Sequence, residues 1–210
     1  MRVSEIKMRN IFTSILLVVG LAGTYGASAA DVDAGKAASA ICAGCHGADG
    51  NSVVGNFPKL AGQGVKYLVK QMADIKSGAR PVVEMTGLLD GLTVQDFNNL
   101  AAFYQSQVAT GGQAKKDLVA KGEELYRAGN PATNVAACTA CHGPAGEGVE
   151  LAVFPALAGQ QADYLAKQLK NFRSGERAND GEARVMRAVA ARLSDKEIES
   201  LASYISGLHK

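Results

Sequence analysis

Two short runs in this chain bring together residue types that do chemistry in combination: Cys42-Ala43-Gly44-Cys45-His46-Gly47 and Cys138-Thr139-Ala140-Cys141-His142-Gly143. Two thiols one helical turn apart, followed directly by an imidazole, form the attachment signature of a c-type haem. The thiols reach the two vinyl groups of one porphyrin, and the histidine approaches the iron from the proximal side. The same cysteines admit two other chemistries, a zinc site pooled from both pairs and a pair of redox disulfides. Zinc would have to draw ligands from two runs that each look complete alone. A thioredoxin-like disulfide needs a βαβ context that the sequence does not offer.

The elements around these runs repeat as well. Phe57-Pro58-x-Leu60-Ala61-Gly62-Gln63, Tyr67-Leu68-x-Lys70-Gln71 and Ser77-Gly78-x-Arg80 recur 97 positions later, as Phe154-Pro155-x-Leu157-Ala158-Gly159-Gln160, Tyr164-Leu165-x-Lys167-Gln168 and Ser174-Gly175-x-Arg177. After an insertion in the second copy, an offset of 101 pairs Met85 with Met186, Leu92 with Leu193 and Leu100 with Leu201. Two tandem domains follow. Their expected limits are 30–110 and 111–210, with Ala109-Thr110-Gly111-Gly112-Gln113 as the linker.

Elimination bears on the second axial position of each iron. The chain has 3 His. With His46 and His142 proximal, only His209 is left, so two bis-His haems are excluded. Of the 5 Met, Met1 and Met8 lie in the leader described below, and Met72 aligns with Leu169 on a helix face, as a core residue would. Met85 and Met186 align with each other in loops ahead of the last helix of each half. A loop methionine is ordinarily packing material, and the correspondence between the copies favours the ligand reading here. Pro58 and Pro155 follow their histidines by 12 and 13 residues; each serves either turn rigidity or an acceptor carbonyl for the imidazole Nδ1–H. Arg80 and Arg177, at equivalent positions, are candidates to pair with haem propionates, against the default of a solvated surface charge.

The positioning elements read as helices throughout. Asp33 is placed to cap a helix leading into the first cysteine pair, and apolar residues at helical spacing mark a helix from Gly64 to Ser77. Thr93 caps the last helix of the first half, and Asp117 is expected to open the helix through Leu125 and Tyr126. Ser194 and Glu197 make a capping box ahead of Ile198, Leu201 and Ile205. Gly62 and Gly159 suit tight turns, Gln63 and Gln160 are placed to cap the following helices, and no alternating strand pattern is present. Each half is so small that a core made of side chains alone is marginal.

Composition narrows the function classes. The 210 residues include 22 basic and 20 acidic ones, a net charge of +2 that argues against nucleic-acid binding. Arg2, Lys7 and Arg9 precede an apolar stretch from Ile11 to about Gly23, and Ala27-Ser28-Ala29 offers a small-x-small cleavage site. Residues 1–29 therefore read as a secretory signal peptide. The apolar run is shorter than the roughly 20 residues of a spanning helix, a retained membrane anchor being the alternative. An exported chain does not keep free thiols unless something occupies them. Without the leader, 19 basic and 19 acidic residues remain, so strong electrostatic steering is not expected.

Taken together, the duplicated Cys-x-x-Cys-His-Gly, Phe-Pro-x-Leu-Ala-Gly-Gln, Tyr-Leu-x-Lys-Gln, Ser-Gly-x-Arg and late Met resemble the dihaem cytochrome c4 family over the whole chain after the leader. The resemblance implies an all-α fold of two class I cytochrome c domains related by a pseudo-twofold axis, with haems near the interface. It implies Cys42, Cys45, His46 and Met85 at one haem c and Cys138, Cys141, His142 and Met186 at the other, with the two prolines holding the proximal histidines. One departure is a longer segment before the second haem, around Asn130-Pro131-Ala132-Thr133-Asn134. The implied role is a periplasmic electron carrier, soluble or in peripheral membrane association, between a quinol-oxidising cytochrome complex and a terminal oxidase. The alternative is the haem subunit of a periplasmic dehydrogenase such as flavocytochrome c sulfide dehydrogenase. A dihaem peroxidase or thiosulfate-oxidising enzyme needs an openable or unusually ligated haem, against which the paired methionines argue.

Overall fold

A computed structural model describes residues 29–209; the leader's charged and apolar segments lie outside them. Helix α1 (Val32–Ala38) continues through a 3-10 turn into the short α2 (Ala43–His46), which carries the first cysteine pair. A loop then leads to α3 (Val65–Lys76), a 3-10 turn at Val83–Met85, and α4 (Val94–Ser106). The second half repeats the order with α5 (Val119–Ala128), α6 (Thr139–His142), α7 (Ala162–Ser174), α8 (Val185–Ala190) and α9 (Asp195–Ser206). The described residues contain no strand, only the isolated bridges Asn130–Val135 and Val149–Phe154.

In each half the first and last helices cross at a glycine. Gly35 of α1 meets Asn99 and Phe103 of α4, and Gly122 of α5 meets Ser200 and Tyr204 of α9, so close that a Cβ at either position would lie under 3.0 Å from backbone. These crossings carry the two cores. One gathers Leu68, Leu100, Ala101, Phe103 and Tyr104; the other is centred on Leu125, Tyr126, Leu165, Leu201 and Tyr204. Leu68, Leu100 and Ala101 correspond to Leu165, Leu201 and Ala202, so the two halves bury the same positions of the repeat.

Helix ends follow local chemistry, with two departures from the sequence expectation. Thr93 with Asp96 and Ser194 with Glu197 form reciprocal capping boxes. The first helix is capped by Asp31 rather than Asp33, because the Asp31 carboxylate accepts from the Asp33 and Ala34 N–H groups. Helix α5 begins after Leu118 with no side-chain cap, and not at Asp117. The linker is pinned to both halves: Thr110 N–H donates to Asn51 Oδ1 at 2.8 Å, and Gly112 N–H to the Ser206 carbonyl at 3.1 Å. The Asn130–Asn134 insertion closes on itself through paired Asn130 and Val135 backbone bonds of 2.9 Å each.

Candidate functional site

Each cysteine pair sits on one helical turn, α2 or α6, whose last residue is the histidine, and Gly47 and Gly143 end those turns at φ near 80°. A side chain is rarely tolerated at that φ. His46 and His142 are both buried. His46 Nδ1 donates to the Pro58 carbonyl at 2.9 Å, and His142 Nδ1 to the Pro155 carbonyl at 3.0 Å. Burial holds both imidazoles below the usual histidine pKa, partly countered by these bonds. Each ring is thus neutral, with the proton on Nδ1 and the Nε2 lone pair free as a donor to a metal. Burial also pushes the unattached Cys42 thiol up and that of Cys138 up to about 11.

The two assemblies open onto one cavity of about 730 Å³ between the halves, with the four cysteines, both histidines, Met85 and Met186 in its walls. Leu68, Leu100, Leu165 and Leu201 contribute to an apolar lining. Met85 ends a 3-10 turn. Met186 is not in a loop: it is the second residue of α8. The difference lies in the residues that follow, since Arg-Ala-Val-Ala-Ala sustains a helix where Thr-Gly-Leu-Leu-Asp-Gly does not. Met72 packs against the first core, and His209 lies against the linker at Gly111 rather than in the cavity wall.

Arg80 and Arg177 are not solvated charges. Each is 7% exposed, and together they form a reciprocal network across the domain boundary. Arg80 donates to Gln71 of its own half at 2.9 Å and to Tyr164 and Gln168 of the other at 2.9 and 3.2 Å. Arg177 donates to its own Gln168 at 2.8 Å and to Tyr67 and Gln71 opposite at 3.2 and 3.0 Å. Every acceptor is neutral, and the neighbouring acid Asp74 is engaged by Lys70 and Asn179. Two buried guanidiniums without a hydrogen-bonded carboxylate are costly unless anions join them, and both line the cavity. Haem, whose propionates are such anions, fits this donor set on three counts: paired thiols, a free Nε2 and buried cations.

Sequence reasoning left Tyr67, Tyr164, Gln71 and Gln168 without a role, although all four belong to the repeated Tyr-Leu-x-Lys-Gln segments. It also assigned Gln63 and Gln160 a purely local capping role. Neither caps a helix: the N-caps of α3 and α7 are Gly64 and Gln161, with no side-chain cap, and each glutamine accepts instead from the adjacent backbone N–H, of Gly64 or Gln161. Their amides also cross the boundary: Gln63 pairs with both the N–H and C=O of Ala156 at 2.9 Å, and Gln160 with those of Lys59 at 2.8 and 2.9 Å. One strained residue also faces the cavity. Val153 has a φ of 61°, closing the Val149–Phe154 bridge just before Pro155, a conformation that costs a β-branched residue about 1–3 kcal/mol.

Comparison with known proteins places this geometry. The cytochrome c family model matches residues 32–107 and again 119–209. The chain is 53% identical over 202 residues to cytochrome c4 of Pseudomonas aeruginosa, covering 96% of this chain and all of that one. The crystal structure of reduced recombinant cytochrome c4 from Pseudomonas stutzeri superposes with a TM-score of 0.85 at 52% identity, covering 86% of this chain and 100% of that one. More distant is a thiosulfate dehydrogenase electron acceptor of Stutzerimonas stutzeri, 37% identical over 175 residues, with 81% of this chain and 80% of that one covered.

Proposed function

The chain belongs to the cytochrome c family, as a two-domain member of the cytochrome c4 kind carrying two covalently bound haem c groups, and from that membership we propose how its residues hold them and whom it serves. Cys42 and Cys45 tether one haem and Cys138 and Cys141 the other. His46 with Met85, and His142 with Met186, supply the axial ligands. Arg80 and Arg177 pair with propionates at the boundary. The domains span 30–110 and 111–210, behind a signal peptide at 1–29.

Each haem, when bound, supplies a one-electron Fe(III)/Fe(II) couple, whose potential methionine ligation raises. The protein's part is to hold that couple still. The Pro58 and Pro155 carbonyls fix the imidazole tautomers, and the apolar walls exclude water. The chain is an electron carrier and not an enzyme, as its full-length relatives are cytochromes c4.

Its partners, on this reading, are a quinol-oxidising cytochrome complex as donor and a terminal oxidase as acceptor, in the periplasm. The observation that carries the carrier role is the pair of equivalent thiol–histidine–proline assemblies facing one shared cavity. The test is oxygen uptake by membranes that hold both complexes but lack their own soluble cytochrome. Added protein should restore uptake from quinol, and no stimulation at saturating protein would refute the assignment. The likeness to a thiosulfate dehydrogenase electron acceptor favours a second reading, in which the donor is a periplasmic dehydrogenase. Rapid reduction by such an enzyme, with no response to the quinol-oxidising complex, would select it.

A further inference from the structure

The cross-boundary glutamines touch one particular peptide group in each half. The carbonyl that accepts from His46 Nδ1 belongs to the Pro58–Lys59 peptide, and the N–H of that same peptide donates to Gln160 Oε1 at 2.8 Å. In the other half, the Pro155–Ala156 peptide accepts from His142 Nδ1 at 3.0 Å, and its N–H donates to Gln63 Oε1 at 2.9 Å. A peptide unit is planar and conjugated, so fixing its N–H fixes the direction of its C=O. Hydrogen bonds in series also polarise one another, by roughly 10–30% per bond. Both glutamines are buried, at 6% and 7% exposure. Their Nε2 groups donate to the Ala156 and Lys59 carbonyls at 2.9 Å, which locks each amide in register. Two relays result. One runs from the Gln160 amide oxygen through the Pro58–Lys59 peptide to the His46 imidazole, and the other from Gln63 through Pro155–Ala156 to His142. Each begins in one half and ends on the proximal histidine of the other.

We propose that Gln63 and Gln160 are positioning residues that act in trans: each sets the donor strength of the proximal imidazole, and so the electron affinity, of the haem in the opposite domain. This rests on His46 and His142 being the iron ligands. A stronger acceptor for the Nδ1–H makes the imidazole a stronger electron donor and favours the oxidised iron. Removing the glutamine therefore favours reduction of the opposite haem.

The test uses the full-length holoprotein with Gln63→Leu and, separately, Gln160→Leu, with haem signals assigned to each domain by NMR and potentials resolved by spectroelectrochemistry. Gln63→Leu is expected to raise the reduction equilibrium constant of the second-domain haem about threefold and leave the first unchanged. Gln160→Leu should do the reverse. The His142 Nδ1 proton should exchange faster with solvent in Gln63→Leu, whereas Gln63→Glu, which keeps an acceptor for the Ala156 N–H, should preserve its protection. A shift confined to the variant's own domain, equal shifts in both, or no shift overturns the proposal, as does loss of protection in Gln63→Glu. If the leucine variants do not fold, the Gln63→Glu exchange measurement decides alone. The hyperfine-shifted ring-proton signals of His46 and His142, read by NMR in the unaltered protein, separate failure of the relay from failure of the ligand assignment.

Discussion

Replacing Gly35 with alanine tests how the helix crossing shapes the haem pocket. A Cβ there would lie under 3.0 Å from the Asn99 carbonyl and at 3.0 Å from Phe103 Cβ. Comfortable carbon contacts need about 3.5–4.0 Å, so α1 and α4 must separate by about 1 Å. The obstruction is backbone, which cannot rotate away, and the cost therefore falls at the upper end of the roughly 1–3 kcal/mol typical of overpacking. Because Leu100 and Tyr104 of α4 also line the cavity, the displacement reaches the haem wall. For a domain of this size each kcal/mol lowers Tm by about 4–8 °C, which gives an expected drop of about 10–20 °C in the first-domain transition. Gly44, between the first two cysteines, is the control: nothing lies within 4 Å of its would-be Cβ, and alanine there should be neutral or gain about 0.5–1 kcal/mol. Circular dichroism melts of the holoprotein, followed beside the haem absorbance, make the measurement. A Gly35→Ala transition within about 4 °C of the parent, or an equal loss in Gly44→Ala, would refute the close-crossing reasoning.

Other expectations follow from the same geometry. Met85→Ala should halve the red charge-transfer band and open the first haem to exogenous ligands; an unchanged spectrum would return Met85 to packing. Val153→Asn, a residue that tolerates positive φ, should relieve the strain and stabilise the second domain by about 1 kcal/mol, read as a higher Tm. Ser194→Ala removes one side of a capping box and should cost about 1 kcal/mol. Bonds to Ser194 and Asn130 hold the Glu197 carboxyl below the usual range. Its stabilising contribution is thus complete above the unfolded glutamate pKa and is lost as pH falls through the lower folded value. Glu197→Gln should flatten that part of the acid-stability profile, and a parallel profile would count against it.

What could be read from the chain, and what could not, divides by the range of the interaction. Thioether attachment demands both thiols and the imidazole within one helical turn, so Cys42 to His46 and Cys138 to His142 announce their chemistry locally. Thr93 and Ser194 are equally legible, because a capping box closes within three residues. The caps expected at Asp33 and Asp117 lie elsewhere: Asp31 competes with Asp33 for the first helix start and takes it, and α5 starts after Leu118 with no side-chain cap. Met186 fell in a helix because residues beyond it propagate one. The boundary network was the least visible part: Gln63 reaches Ala156 and Arg80 reaches Tyr164, contacts that local spacing does not encode. The repeated Tyr-Leu-x-Lys-Gln and Leu-Ala-Gly-Gln segments did mark those positions as equivalent, without saying that the equivalents meet.

That meeting has a genealogical consequence. Arg80 bonds Gln71, Gln168 and Tyr164, and Arg177 bonds Gln168, Gln71 and Tyr67. The two sets are the same residues of the repeat with the halves exchanged, which is the isologous pattern of a symmetric homodimer. One half therefore presents a face complementary to a copy of itself. A single-domain ancestor that paired through this face, then duplicated and fused through a short linker, would leave this arrangement as its trace.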